Sequence, residues 1–135
     1  MRLLFVHQNF PGQYRHLAAH YGALPGCEVV GLGERRNVLR NRPHAPGVRV
    51  FGYELQKNHT ADPFAASALN SIARGRAVAA AASALRRAGF RPDVILAHIG
   101  WGEAAFLKDV FPEARILLYC EFFYRSRGAD LGFDP

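Results

Sequence analysis

The chain reads as an α/β protein, a Rossmann-like open parallel sheet of about five strands in the order 3-2-1-4-5 flanked by helices. Three observations predict this. Short apolar runs alternate with segments of helical periodicity along the chain, the pattern of strands buried on both faces and joined by crossover helices. The first and fourth runs end in loops rich in histidine, glycine and amide or carboxylate side chains. An Asp-Pro start signal, Asp62-Pro63, opens a long alanine-rich helix between the third and fourth runs.

Residues 3–6 are continuously apolar and run into His7, Gln8, Asn9, Phe10, Pro11 and Gly12, as a buried strand feeding a loop does. Tyr14, Leu17, Ala18 and Tyr21 then recur at i, i+3, i+4 and i+7, an amphipathic helix stopped by Gly22 and Pro25. Residues 27–32 form the second strand and residues 48–53 the third. Between them residues 33–47, with four arginines, two prolines and two asparagines, read as a long polar loop.

The helix opened by Asp62 runs to about residue 88, with Phe64, Ala68, Ile72, Gly75, Val78, Ala79, Ala82 and Leu85 as its apolar stripe. Arg74, Arg76, Arg86 and Arg87 fall largely off that stripe. Gly75 marks either close packing or a break into two helices. Residues 93–97 form the fourth strand after Pro92, residues 102–111 a short helix ended by Pro112, and residues 115–120 the fifth strand.

A chain of 135 residues, half of them apolar, is one domain with a continuous core and leaves no room for a second. Its net charge of +6 favours an anionic partner: a sugar nucleotide, a phospholipid surface or nucleic acid. The arginines are dispersed over loops and helix faces, as on an ordinary solvated surface, so nucleic acid is not the expected partner. Cys27 and Cys120 start one strand and end another; strands three positions apart at ~4.8 Å per step lie roughly 14 Å from each other, beyond disulfide reach. Two free thiols in a reducing cytoplasm are expected. The apolar run at residues 3–6 is too short for a signal segment or a membrane span.

In an open parallel sheet, ligands bind beyond the carboxyl ends of the strands, where the strand order reverses. For the order 3-2-1-4-5 that crevice lies between the first and fourth strands. It is bordered by the loop from His7 to Gly12, by His98-Ile99-Gly100-Trp101-Gly102-Glu103, and by Glu121-Phe122-Phe123-Tyr124-Arg125. Gly12 and the N–H groups opening the first helix suit a phosphate, or Pro11-Gly12 merely makes a turn. His98 is either a satisfied structural histidine or a functional one. Trp101 fits a sugar-stacking platform or a hydrophobic plug. Glu103 fits a helix-start carboxylate. Glu121, beside three aromatics, either titrates high or pairs with Arg125.

Other signals are weaker. Gly31-Leu32-Gly33 follows the second strand, lacks the third glycine of a dinucleotide loop and is not at the switch point, although Arg35 and Arg36 would suit a 2'-phosphate. There is no Walker-type lysine loop, and no acidic cluster follows the first strand. His16 and His20 have metal-ligand spacing but no further ligand, and read as surface histidines.

Three stretches together, residues 3–13, residues 91–103 and residues 121–124 continuing to 132–135, resemble family 4 glycosyltransferases. More narrowly, they are similar to a bacterial branch whose amino-terminal domain carries a His-x-Gly-Trp-Gly-Glu loop, here His98 to Glu103. The resemblance implies the amino-terminal, acceptor-side half of a two-domain GT-B enzyme. It further implies a nucleotide-sugar donor, retention of anomeric configuration, no obligatory metal or other cofactor, and a glycan or lipid-linked acceptor, with peripheral membrane contact at the inner face admitted.

By position, Gly12, with Asn9 and Pro11, would stand near the donor diphosphate and His98 near the transferred sugar. Gly100, Trp101, Gly102, Glu103, Glu121 and Tyr124 would line the acceptor side. Such enzymes carry a Glu-x7-Glu pair and their nucleotide-binding residues in a carboxy-terminal domain absent from these 135 residues. Glu113 and Glu121 have that spacing but are separated by strand, roughly 26 Å at ~3.3 Å per residue, so they are a decoy. The ending at residues 129–135 reads like the middle of a connection, and residues 1–135 alone are expected to fold but not to transfer sugar. A stand-alone flavodoxin-like module binding a small anion or nucleotide in the same crevice is the alternative.

Overall fold

The computed structural model describes residues 1–56 and 62–121. Their strands form a parallel five-stranded sheet: β1 (Arg2–Val6), β2 (Glu28–Glu34), β3 (Val48–Tyr53), β4 (Val94–His98) and β5 (Arg115–Tyr119), in the order β3-β2-β1-β4-β5. The central strand, β1, pairs on one side with β2 (Leu3 opposite Val29) and on the other with β4 (Leu3 opposite Val94). The chain order reverses between β1 and β4, so the loops after these two strands share one end of the sheet.

Alternation along the strands sorts side chains onto two faces. Leu4, Val6, Val30, Leu32, Ile95 and Ala97 join Val78, Ala82 and Leu85 of α3 (Pro63–Arg87) in one apolar layer. Leu3, Phe5 and Val29 form the other with Phe10, Tyr14 and Ala18, the last from α1 (Arg15–Ala23). Both faces of the centre are covered, which is why its strands are apolar without interruption. α1 continues through Gly22 to Ala23, and His16 and His20 on it are exposed.

The polar segment after the second strand is not all loop. β2 extends to Glu34 and leads directly into α2 (Arg35–Arg40), which buries Asn37 and Val38. Six residues with two apolar side chains are too few to show a period, so composition alone reads as loop. Gly31 and Gly33 have a packing use: a Cβ on Gly31 would stand 2.4 Å from the Phe10 ring, and one on Gly33 would stand 3.0 Å from the Phe10 Cβ.

α3 begins where predicted, with the Asp62 carboxylate accepting from the N–H groups of Phe64 and Ala65. Its stripe is shorter than its periodicity suggests. Phe64 is 90% exposed and Ile72 44%, while Arg74, expected off the stripe, turns inward to within 4.0 Å of Glu34. The helix is unbroken at Gly75, where a Cβ would meet the carbonyl of Gly102 at 2.9 Å. Close packing is therefore the role of this glycine. The helix expected over residues 102–111 shrinks to α4 (Leu107–Val110), because Gly102 has a φ of +97° and residues before α4 are held by turn bonds such as Leu107 N–H to Ala104 carbonyl.

Cys27 and Cys120 are free thiols. Glu113 precedes β5 and Glu121 follows it, at opposite ends of the strand. Tyr124, Phe122, Phe123 and Arg125 lie outside the described residues.

Candidate functional site

The loop after β1 is held in place by its neighbours. Gln8 donates its N–H to Glu103 Oε1 (3.2 Å), and its carbonyl accepts from the Glu34 N–H (3.0 Å) and from Asn37 Nδ2 (3.2 Å). One step on, Asn41 Nδ2 donates to the carbonyls of Asn9 and Phe10, both at 3.0 Å. β2, α2 and the β4 loop thus fix one short segment, the kind of preorganisation a binding loop needs. The Gly12 N–H is turned back to the Asn9 carbonyl, and that of Tyr14 to the Pro11 carbonyl, so neither points freely to a ligand. Gly12 has a φ of +47°, and a Cβ there would stand 2.6 Å from the His7 ring.

That ring belongs to a residue the sequence places on the rim without a role of its own. His7 ends the first strand's run as His98 ends the fourth's, and the two are built alike. His7 Nδ1 accepts the N–H of Asn9 (3.0 Å), and His98 Nδ1 accepts the N–H of Gly100 (3.1 Å). An imidazole nitrogen that accepts an N–H carries no proton, so in each neutral ring the proton sits on Nε2. The rings stand edge to face with centroids 5.3 Å apart across the switch point. The sequence shows only that each histidine ends an apolar run; the N–H that folds back two residues later is visible in the structure alone.

Both histidines are nearly buried, His7 at 5% and His98 at 2% exposure. Burial and the neighbouring His98 hold His7 below the usual histidine range, against the opposite pull of Glu121 and a Gln13 side-chain contact. His98 Nε2 lies 3.4 Å from Glu121 Oε1 without making a hydrogen bond. The same oxygen accepts from Gln13 Nε2 at 2.6 Å, which links the end of β5 to the first turn after β1. Tyr119 and Tyr14 close the side of the crevice, Tyr119 with ring centroids 6.2 Å from His98 and 6.1 Å from Tyr14.

Glu103 is not a helix cap. It is fully buried, one oxygen taking the Gln8 N–H and the other without a partner. Burial raises its carboxyl above the usual range, although Arg74 and His98 act to lower it. Behind it, Tyr53 OH, Arg74 Nε and Glu34 Oε2 are also buried without a hydrogen-bond partner, although Arg74 lies within ion-pair distance of that Glu34 oxygen, at 4.0 Å. Burial, followed by Glu103, pushes the Tyr53 hydroxyl up. The loop carrying Glu103 is set by Gly102, whose absent Cβ would stand 2.2 Å from the Ser71 carbonyl of α3. Gly100 is exposed, and a Cβ on it would stand 2.8 Å from the His98 ring. Trp101 is 48% exposed, which rules out a plug and leaves its ring open to a ligand.

Of the sequence-derived candidates, Asn9, Pro11, Gly12, His98, Gly100, Trp101, Gly102, Glu103 and Glu121 therefore border one end of the sheet. His7, Gln13, Tyr53, Arg74 and Tyr119 join them. Gln8 and Glu103 tie the β1 and β4 loops together.

Comparison with known families decides the class. The model of the glycosyl transferase family 4 group matches residues 25–135. The chain belongs to family 4 of the glycosyltransferases. The family 4 match contains β2 to β5 and the whole loop from His98 to Glu103, while β1 and the loop from His7 to Gly12 precede it. No curated protein and no solved structure matches this family 4 chain. Among the described residues no helix is long and apolar enough to cross a membrane.

Proposed function

We propose that this chain is the acceptor-side domain of a retaining glycosyltransferase. It works with a carboxy-terminal domain that binds a nucleotide-sugar donor, and the transferred sugar goes to a glycan or lipid-linked acceptor. The observation that carries the reading is the matched pair of imidazoles at the switch point of a family 4 sheet, each with Nδ1 occupied by a backbone N–H and Nε2 left as donor.

In such a transfer the bond between the anomeric carbon and the diphosphate oxygen breaks, and the acceptor oxygen bonds to that carbon on the same face. The acceptor proton passes to the departing phosphate. Negative charge grows on the diphosphate and positive charge on the sugar ring. Fixed N–H donors in a partly dry crevice stabilise the first without having to reorient. His98 supplies one, at Nε2, and His7 a second. Glu121, held by Gln13, places a carboxylate oxygen 3.4 Å from His98 Nε2. Trp101 offers an exposed aromatic face to a sugar. No step requires a metal in this scheme.

The test supplies radiolabelled nucleotide sugars to the enzyme carrying this domain and to residues 1–135 alone. Sugar transfer by the enzyme and none by residues 1–135 is the expected result. Transfer by residues 1–135 alone contradicts the division of labour. Tight binding of a flavin or free nucleotide by residues 1–135 favours the flavodoxin-like alternative.

A further inference from the structure

Beside the crevice, on the α1 face of the sheet, lies a second cavity of about 460 Å³. Its upper wall is the loop from Asn9 to Gly12, and its floor is apolar, formed by Ala18, Ala19 and Val48. The opposite wall comes from the segment between α2 and β3, which Asn41 straps to the Asn9 and Phe10 carbonyls. The volume falls in the usual range for small-molecule sites, about 300–1,000 Å³.

The charge of this cavity is one-sided. Arg15, Arg42 and His44 line it, and no aspartate or glutamate does. Elsewhere Arg2, Arg35, Arg36, Arg49 and Arg74 each lie beside a glutamate. Arg15 and Arg42 make no ion pair with any described residue. His44 stacks obliquely on Phe10, with centroids 6.1 Å apart, and both its ring nitrogens are buried without a hydrogen-bond partner. Two free guanidinium groups and an unsatisfied imidazole over an apolar floor form a receptor for a compact anion with a less polar body.

We propose that this cavity holds the phosphate group of a phosphorylated acceptor, its body resting on Ala18, Ala19 and Val48. The site deepens the transfer reading, since its upper wall is the loop that also borders the crevice, and the word acceptor rests on that reading. Anion binding itself does not.

The experiment follows amide shifts of the full chain by NMR during titration with hexyl phosphate, with hexanol as control. The expected shifts concentrate at Gly12, Arg15, Ala19 and residues 41–45, and hexanol leaves them unmoved. In the double variant Arg15→Gln/Arg42→Gln, affinity falls about ten-fold or more. Arg76→Gln/Arg87→Gln, which removes the same charge from α3, leaves it unchanged. Because the Arg15 and Arg42 side chains are exposed and pair with no described residue, the double variant keeps the fold, which the unperturbed remainder of the spectrum verifies. Sedimentation with phosphatidylglycerol vesicles separates the sources of the phosphate: binding lost in the double variant assigns it to a lipid headgroup, and binding of hexyl phosphate without vesicle binding assigns it to a soluble acceptor. Absence of both, or equal affinity in the double variant, overturns the site. If hexyl phosphate binds but the double variant has an unchanged acceptor KM, the anion site stands and its assignment to the acceptor fails.

Discussion

At the scale of single residues, burial acts on two ionisable groups of the site in opposite directions, raising Glu103 and lowering His7. Glu103 gives the most direct consequence. Its folded-state carboxyl titrates above the ordinary value of 4.5 because burial penalises the charged form. The folded state therefore holds this proton more tightly than the unfolded state does. The associated stability is fully present below pH 4.5 and is lost as the pH rises through the folded-state value. Glu103→Gln keeps an oxygen for the Gln8 N–H and removes the ionisation. We expect it to raise the melting temperature at pH 7 to 8 and to leave it nearly unchanged at pH 4; an equal shift at both pH values would contradict the assigned burial cost. His7 acts with the opposite sense, its stability present above pH 6.5 and lost as the pH falls from there.

The same residue scale explains what was legible in advance. Topology alone places His98, Trp101 and Glu103 at the rim, because they end or follow the fourth strand beside the point where the order reverses. Of the two readings of Glu103, the helix cap fails and the place at the rim stays, because its side-chain hydrogen bond goes to Gln8, 95 residues away. His7 was visible as a letter but not as a partner. Its meaning comes from the 5.3 Å approach of His98, a contact 91 residues apart that no local pattern encodes.

At the scale of elements, α3 and the β4 loop are joined by two glycines, Gly75 and Gly102, that leave no room for a side chain. A Cβ on Gly102 would overlap the Ser71 carbonyl at 2.2 Å, and its φ of +97° disfavours any L side chain. Gly89, which ends α3 with a φ of +90°, has open space around it. Gly89→Ala should cost about 1 kcal/mol from backbone strain alone. Gly102→Ala should cost clearly more, about 1–3 kcal/mol beyond that from overpacking. Urea denaturation of both variants checks the order, and equal losses would contradict the close approach of loop and helix.

Strand ends and the Asp62 cap were readable because each is a local signal: an apolar run, a carboxylate, a proline. α2 was not, being six residues with little apolar surface. The stripe on α3 is narrower than its periodicity, since Phe64 and Ile72 continue the spacing yet stand 90% and 44% exposed among the described residues.

At the scale of the whole molecule, strand order decides where chemistry takes place. β1 in the centre and β4 beside it bring two loops from opposite halves of the chain to one rim, and the Gln8–Glu103 bond locks them. Continuous apolar runs and period-3.6 patterns, together with the handedness of crossovers, were enough to anticipate this order. They carry no information about sugars. The family came from long matched stretches, first as a resemblance and then as the match over residues 25–135.

The central claim is that this rim is where the sugar is transferred, with His98 as a donor to the reacting groups. His98→Ala in the enzyme carrying this domain tests it most directly, measured as kcat for sugar transfer with circular dichroism to confirm the fold. Loss of one fixed donor at a developing charge predicts a fall of about 10²-fold or more at unchanged secondary structure. Turnover equal to that of the unaltered enzyme would contradict the account.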